Sequence, residues 1–422
     1  MSRAGNLLFP FRNRESPRGE RILLTEHICP NCGQAGMAVF YEVNNVPAHS
    51  VLQMRTREQA LTYPKGTIRL GFCSNCSFIS NIAFDPSLHD YSPEYEATQS
   101  YSPTFNKFNT QLAQHLIDQY DLHEKTVIEI GCGDGEFLIL LSELGPNSGV
   151  GFDPAYRDER IQHPAKERIR FIQDFYSEKY ADVYGDFVVC KMTLEHIPNT
   201  AEFLTTVRRS IGDRIGTRIF FQIPNAGYVF RDIAFWDIYY EHCSYFSKAA
   251  LAALFLHTGF EIVDISTGYD DQYLMIEATP GASKTDFEQS IAPLVEEAVQ
   301  DKAFFSAHID ERLSGWRDLI AELHNEQKKI VIWGSGSKGV TFLNTLGISD
   351  EIEYVVDINS NRWSTFMAGS GHEIVRPGLL RDYQPDVVII MNPIYEPEIS
   401  KQLVELGLSP QIIAIDSPLV TV

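Results

Sequence analysis

The stretch from Lys125 to Phe137, KTVIEIGCGDGEF, constrains the fold more than any other part of the chain. Val127, Ile128 and Ile130 form a short β-branched apolar run, as expected of a parallel strand covered on both faces. Gly131, Gly133 and Gly135 follow at alternate positions, ahead of a helix-forming sequence. Without a Cβ, these residues permit a tight turn and let a ligand lie on bare backbone, facing the free N–H groups of the next helix. The pattern predicts an α/β domain with a nucleoside at the turn.

Spacing narrows the choice of nucleoside. A dinucleotide turn places its third glycine three residues after the second, whereas this run is E-x-G-x-G-x-G. With Glu129 at the strand end and Asp153 closing the next strand in GVGFDP, it resembles motif I of the class I S-adenosylmethionine methyltransferases. The resemblance implies S-adenosyl-L-methionine as cofactor, bound by Glu129, Gly131, Gly133 and Gly135. Asp153 would hold the two ribose hydroxyls, for which a carboxylate is suited because it accepts two hydrogen bonds. The resemblance further implies that Asp174, after IRFIQ, contacts the adenine amino group. It also implies that the segment from Lys191 to His196 borders the methyl donor. All these residues fall at carboxyl ends of expected strands, where ligands bind in open α/β sheets. An ordinary α/β turn with an acid at a strand end is the competing reading. The agreement of glycines, both acids and strand order outweighs it.

A chain of 422 residues exceeds a single core and predicts two or three domains. The net charge of −21 and pI near 5.0 argue against non-specific binding to nucleic acid or anionic membrane. No apolar run approaches the roughly 18 residues needed to span a bilayer. Leu7, Leu8 and Phe9 form too short an apolar segment for a secretory signal, so the expected address is the cytoplasm. Four of the seven cysteines form two C-x-x-C pairs, Cys29/Cys32 and Cys73/Cys76. Two such turns direct four thiolates at one ion and complete a tetrahedral zinc site, with no position left for water. The zinc is therefore structural, and it contributes folding energy to a module too small to hold itself together. A redox dithiol pair or four buried thiols would not account for two matching turns.

The organisation expected is a flexible arm (1–25), a zinc-binding module (26–82), a methyltransferase domain with a doubly wound sheet (83–282), a helical connector (283–328) and a C-terminal Rossmann-like domain (329–422). A helix near Phe105 to Tyr120 carries an apolar stripe. In WDIYYEHCSYFS, Ser247 is the expected N-cap of a helix from Lys248 to His257, which places Glu241 and His242 in the preceding loop. A histidine beside a carboxylate is a candidate general base. A packed aromatic loop with a hydrogen-bonded imidazole is the alternative. Further on, Gly334, Gly336 and Gly339 form a G-x-G-x-x-G, and Asp357 ends the next strand about twenty residues later, the spacing of a dinucleotide site. The same GSGSKG turn suits a diphosphate, with Lys338 nearby. The segment MAGSGHEIVRP (367–377) and the strand DVVIIMNP with Tyr395 are expected to face the same cleft.

The order of a two-C-x-x-C module, a methyltransferase core, an E-H-x-S-Y-F-S loop and a second Rossmann-like domain is similar to the deoxysugar C-methyltransferases, the group that includes the tetronitrose C-methyltransferase. The resemblance implies a nucleotide-linked 4-keto-6-deoxysugar as substrate and methylation of the carbon beside its ketone through an enolate. It assigns the base to His242, orientation or proton relay to Glu241, and oxyanion donation to a tyrosine after the zinc module. Tyr95 is the first choice for that tyrosine and Tyr91 the second. No catalytic metal, nucleic acid or membrane is implied, and the chain is expected to be a monomer or homodimer. The Y-x-x-x-Q form around Tyr95 departs from the aromatic-rich version expected of antibiotic-sugar enzymes, which bears on the substrate more than on the reaction. The rival activities are O- or N-methyl transfer to a sugar or other small metabolite, an NAD-dependent oxidoreductase using the C-terminal turn, and a zinc-containing scaffold that only binds S-adenosylmethionine.

Overall fold

The computed structural model describes residues 27–88, 94–281 and 287–418, so the expected N-terminal arm and Tyr91 lie outside the described residues. At its centre is a seven-stranded sheet in the order Phe260–Gly268, Tyr273–Pro280, Arg218–Pro224, Phe187–Lys191, Thr126–Ile130, Ser148–Phe152, Ile169–Ile172. Tyr273–Pro280 runs antiparallel to both neighbours and the remaining pairs are parallel. The inner strands are apolar and buried along nearly their whole length because helices cover both faces. From Thr126–Ile130 the chain builds outward on one side, then returns to Phe187–Lys191 on the other. The carboxyl ends of these two strands therefore flank a switch point, where a crevice opens.

The helix Pro103–Tyr120 starts at Ser102, whose Oγ accepts from Phe105 N at 3.2 Å, with proline in the first turn where no N–H is required. The expected stripe faces inward, with Phe105, Leu112 and Leu116 buried. Ser247 caps Lys248–His257 as expected, accepting from Ala250 N at 3.0 Å.

The N-terminal sheet is antiparallel and joins Ala38–Pro47, Lys65–Phe72, Ile79–Asn81 and Ser244–Tyr245. Its fourth strand comes from the E-H-C-S-Y-F-S segment, which sequence analysis read as a loop. Pairing of Ile79 with Tyr245 and Ser80 with Ser244 gives the edge strand of the small module its partner. A short helix, Arg57–Thr62, separates the first two strands of this sheet, and its capping box, Thr56 with Gln59, is the local signal that starts it.

A third, all-parallel sheet has the order Glu373–Val375, Tyr354–Val356, Ile330–Trp333, Val387–Ile390, Gln411–Ala414 and carries its own switch point beside Ile330–Trp333. The helical stretch expected between the domains is one helix, Phe287–Asn325. Its interrupted apolar pattern reflects a change of neighbours. Ile291 packs into the core of the central domain, whereas Phe305, Trp316 and Ile320 pack into a core shared by the N-terminal and C-terminal regions. Among the described residues no helix is long and apolar enough to cross a membrane.

Candidate active site

One cavity of about 820 Å³ spans both switch points, near the upper end of the ~300–1,000 Å³ usual for small-molecule sites. Glycine turns stand at two of its ends and the Glu241–His242 segment lies between them.

At the first turn, Gly131 has φ +71°, and a Cβ there would lie 1.9 Å from Thr193 Oγ1. Gly133 has φ +55° and nothing within 4 Å of the Cβ position, so bare backbone faces the cavity. Gly135 closes the turn as N-cap of Glu136–Leu144. Asp153 accepts from Gly133 N at 2.9 Å and from Ala155 N at 2.8 Å, which holds the carboxylate under the turn. Burial raises its pKa, and the two N–H bonds oppose the rise. Glu129 is buried, and its Oε2 has no hydrogen-bond partner among the described residues. Burial drives the Glu129 pKa up, opposed by the charge of Lys191. The Lys191 amine lies 2.8 Å from Asn109 Oδ1 and 3.5 Å from the centre of the Phe137 ring, and loss of solvent lowers its pKa. An unsatisfied buried carboxylate oxygen costs roughly 1–3 kcal/mol, which a cationic donor on a ligand would offset. Asp174 lies on the rim, where its carboxylate meets Lys179 and, at 2.5 Å, the Tyr180 hydroxyl. The Lys179 bond leads in lowering its pKa. Cofactor candidates predicted from the sequence thus gather at one end of one cavity.

At the middle of the cavity, the Glu241 carboxylate is held from the N-terminal module. His49 Nδ1 lies 3.1 Å away, Ser50 N donates at 2.7 Å, and Ser50 Oγ lies 2.8 and 3.0 Å from the two oxygens. Burial alone would raise the Glu241 pKa, yet the bonds from His49 and Ser50 bring it below its usual value. His242 is buried, its ring 4.0 Å from that of Tyr239 and its Nε2 3.9 Å from Glu195 Oε1. The His196 ring stands edge-on to His242 at 4.9 Å, and its Nδ1 lies 3.1 Å from the Glu241 carbonyl oxygen. Burial lowers the His196 pKa to about 4, leaving a neutral imidazole at physiological pH. Glu195 is buried, with neither carboxyl oxygen hydrogen-bonded among the described residues, and burial raises its pKa to about 8. A neutral imidazole, His196, and a protonated acid, Glu195, are therefore packed against His242.

Tyr95 reaches the same cavity because residues 94–96 lie alongside 51–53, with Gln53 N donating to Glu94 O at 3.1 Å and Glu96 N to Val51 O at 3.0 Å. Glu96 anchors this strap to both flanks, through Arg160 at 2.5 Å and Asn359 at 3.1 Å. Burial raises the Tyr95 phenol well above its ordinary pKa, so it stays protonated. The structure thus brings Tyr95, Glu241 and His242 together. It adds His49, Ser50, Glu195, His196 and Tyr239, which sequence reasoning did not single out. The only sequence signal for Glu195 and His196 was their place in the segment bordering the donor. For His49 and Ser50 there was none.

At the second turn, Gly334 has φ +119° and Gly336 precedes the helix Ser337–Leu346. Asp357 accepts from Ser335 N at 2.9 Å and from Asn359 N at 2.7 Å. The Lys338 amine is paired with Asp237 at 2.5 Å. Tyr395 lines the cavity, its hydroxyl 2.5 Å from that of Tyr269 and 3.0 Å from Gln99 Oε1. The segment 367–377, expected to face this cleft, does not line it. It docks on the N-terminal module instead. Gly369 N donates to Ala60 O at 2.8 Å, and a Cβ on Gly369 would meet Pro47 at 2.4 Å, so the glycines there serve close packing.

Away from the cavity, Cys29, Cys32, Cys73 and Cys76 bring their sulfurs within 4.8 Å of one another, with Cys29–Cys76 at 3.8 Å and Cys32–Cys73 at 3.6 Å. Four thiolates about 2.3 Å from a tetrahedral ion would stand about 3.8 Å apart, so the cluster fits a metal. Asn31 and Asn75 each direct an amide at a sulfur. Next to Cys76, Ser77 Oγ lies 2.6 Å from Ser247 Oγ, and Asn81 N donates to Cys243 O at 2.9 Å, so the cluster buttresses the segment that carries Glu241 and His242.

Comparison with known proteins bears on this architecture. A family model described as a methyltransferase domain matches residues 105–265, over the central sheet, and one described as a C-methyltransferase C-terminal domain matches residues 296–409. The C-methyltransferase NovU of Streptomyces niveus is 26% identical over 300 residues, covering 67% of this chain and 70% of its own. A ribosomal protein L11 methyltransferase of Pasteurella multocida is 37% identical over 90 residues, covering 20% of this chain and 30% of its own. The structure of magnesium protoporphyrin IX methyltransferase from Synechocystis has a TM-score of 0.32 at 18% identity, covering 42% of this chain and 84% of that one.

Proposed function

We propose that this chain, an S-adenosylmethionine-dependent C-methyltransferase by its two family matches and its relative, methylates the carbon beside the ketone of a nucleotide-linked 4-keto-6-deoxysugar through an enolate. The observation that carries the reading is the placement of His242, Glu241 and Tyr95 in one cavity between two glycine turns.

A sugar C–H is too weak an acid for direct methyl transfer, and an adjacent ketone solves this by spreading the charge onto oxygen. The protein then needs a base active near neutral pH, a donor for the developing oxyanion and an aligned methyl. His242 removes the proton, the electron pair of that C–H bond forms the C=C bond of the enolate, and the carbonyl π pair moves onto oxygen. Tyr95 keeps its own proton and donates a hydrogen bond to that oxygen. Glu241 orients the imidazole or relays its proton, and neutral His196 limits the positive charge around it. S-adenosylmethionine, when bound, supplies an electrophilic methyl and a positive charge that favours the enolate. For it, Asp153 takes the ribose hydroxyls, Asp174 the adenine amino group, Glu129 the ammonium and Lys191 the carboxylate, over the backbone of Gly131, Gly133 and Gly135. Zinc on the four cysteines has a structural role only. The C-terminal domain is Rossmann-like, and its GSGSKG turn encloses the nucleotide. The domain limits follow the organisation given above, with the connector being the helix Phe287–Asn325.

The test is incubation with S-adenosylmethionine and a panel of nucleotide-linked 4-keto-6-deoxysugars, read by mass spectrometry and by NMR of the product. A gain of one methyl on carbon supports the reading. A methyl on oxygen or nitrogen, or no gain with any sugar, ends it.

A further inference from the structure

A hydrogen-bonded bridge crosses the cavity between its three contributing regions. Ser50 follows the strand Ala38–Pro47, Glu241 belongs to the central domain, and Ser337 opens the helix after the second glycine turn. Ser50 Oγ, in contact with both Glu241 carboxylate oxygens, is also 2.7 Å from Ser337 Oγ. Ser50 is buried, and Ser337 lines the cavity. A hydroxyl has one proton, and an ionised carboxylate only accepts. The single Ser50 proton is therefore shared between Glu241 and Ser337 Oγ, which accepts from Ser50. An acceptor seated at the second turn, such as a phosphate oxygen, takes the Ser337 proton, makes Ser337 Oγ a stronger acceptor for Ser50 and so alters the hold on Glu241. His49, His196, Tyr95 and Tyr239 are the other titratable groups that face this carboxylate.

We propose that Ser50 and Ser337 are positioning residues that couple occupancy of the C-terminal glycine turn to the Glu241 carboxylate. The C-terminal domain then takes part in proton abstraction as well as in substrate binding. The inference rests on the reading of the site given above. Neither serine touches the reacting carbon, so both act through Glu241.

A double-mutant cycle on the full chain tests the coupling. Ser50→Ala should lower kcat about tenfold, as expected for loss of a hydrogen bond to a charged group, and Ser337→Ala about threefold, as expected for loss of a bond between neutral hydroxyls, with donor affinity unchanged. The double variant should be no slower than Ser50→Ala, because Ser337 acts through Ser50. Ser337→Thr should recover most of the rate. Additive losses, or a Ser337→Ala effect confined to KM, would overturn the proposal. The same cycle is read on the thermal unfolding midpoint without substrate, where non-additive shifts support the coupling and additive shifts overturn it. A wild-type chain inactive on every keto-sugar would reject the substrate reading, and the unfolding cycle would then decide the coupling.

Discussion

The two glycine turns use the same local device to different ends. In each, an acid closing the following strand accepts a backbone N–H of the turn, Asp153 from Gly133 and Asp357 from Ser335, both at 2.9 Å. Around the first turn, among the described residues, Glu129 is left with an unsatisfied carboxylate oxygen and Gly133 with open backbone. Around the second, the side chains are committed elsewhere: Ser335 to Asp357 and Arg362, Ser337 to Ser50, and Lys338 to Asp237. A strand–turn–helix unit therefore does not define its ligand. The first turn leaves an acid oxygen and bare backbone open to a ligand, whereas the second is tied by its side chains into the neighbouring regions.

The largest expected effect lies between the turns. His242→Asn should lower turnover by about 10²–10⁴-fold, as loss of a general base does, while calorimetry shows unchanged donor binding. Near-normal turnover would remove His242 from the mechanism. Stripping the metal with a chelator, or Cys73→Ser, acts on neither turn directly. It should abolish most activity through the Ser77–Ser247 and Asn81–Cys243 contacts, with a lower unfolding midpoint, and a fully active metal-free chain would separate the cluster from the site.

The division of labour is sharpened by paired glycine variants. Gly131→Ala imposes left-handed backbone strain of about 1–2 kcal/mol before its clash with Thr193, so donor affinity should fall more than tenfold. Gly336→Ala has φ −72° and no atom within 4 Å of its Cβ, so donor affinity should be retained and any change confined to the keto-sugar KM. Equal losses of donor affinity would erase the distinction. Lys338→Met leaves Asp237 without its cationic partner beside the second turn, so the same KM should rise by about tenfold without any effect on the donor.

The smallest effect concerns pH. Folded Glu195 keeps its proton to about pH 8, whereas its ordinary pKa is 4.5. The folded state therefore binds more protons between these values. Its stabilisation is complete below about pH 4.5 and is lost as pH rises through about 8. Glu195→Gln should flatten that part of the stability profile in denaturant titrations. An unchanged slope would show that Glu195 titrates normally.

Much of this was legible along the chain. Apolar runs ending in glycine announce the parallel strands of both α/β sheets, and the C-x-x-C turns announce a four-cysteine cluster, because strand burial and turn chemistry depend on neighbouring residues. The E-H pair was also visible, as a histidine and a carboxylate ahead of a capped helix. Its surroundings were not. His49 meets Glu241 across 192 positions, and nothing local to VPAHSVL distinguishes a residue that holds a carboxylate from one in an ordinary turn. Ser244–Tyr245 becomes a strand because the edge of the N-terminal sheet lies beside it. Residues 367–377 turn from the cleft to the N-terminal module because Gly369 fits against Pro47. Sequence alone determined which elements form and which residue types could perform chemistry. Tertiary structure decided which of them meet, since hydrogen bonds and close packing depend on distances that only the assembled layers set.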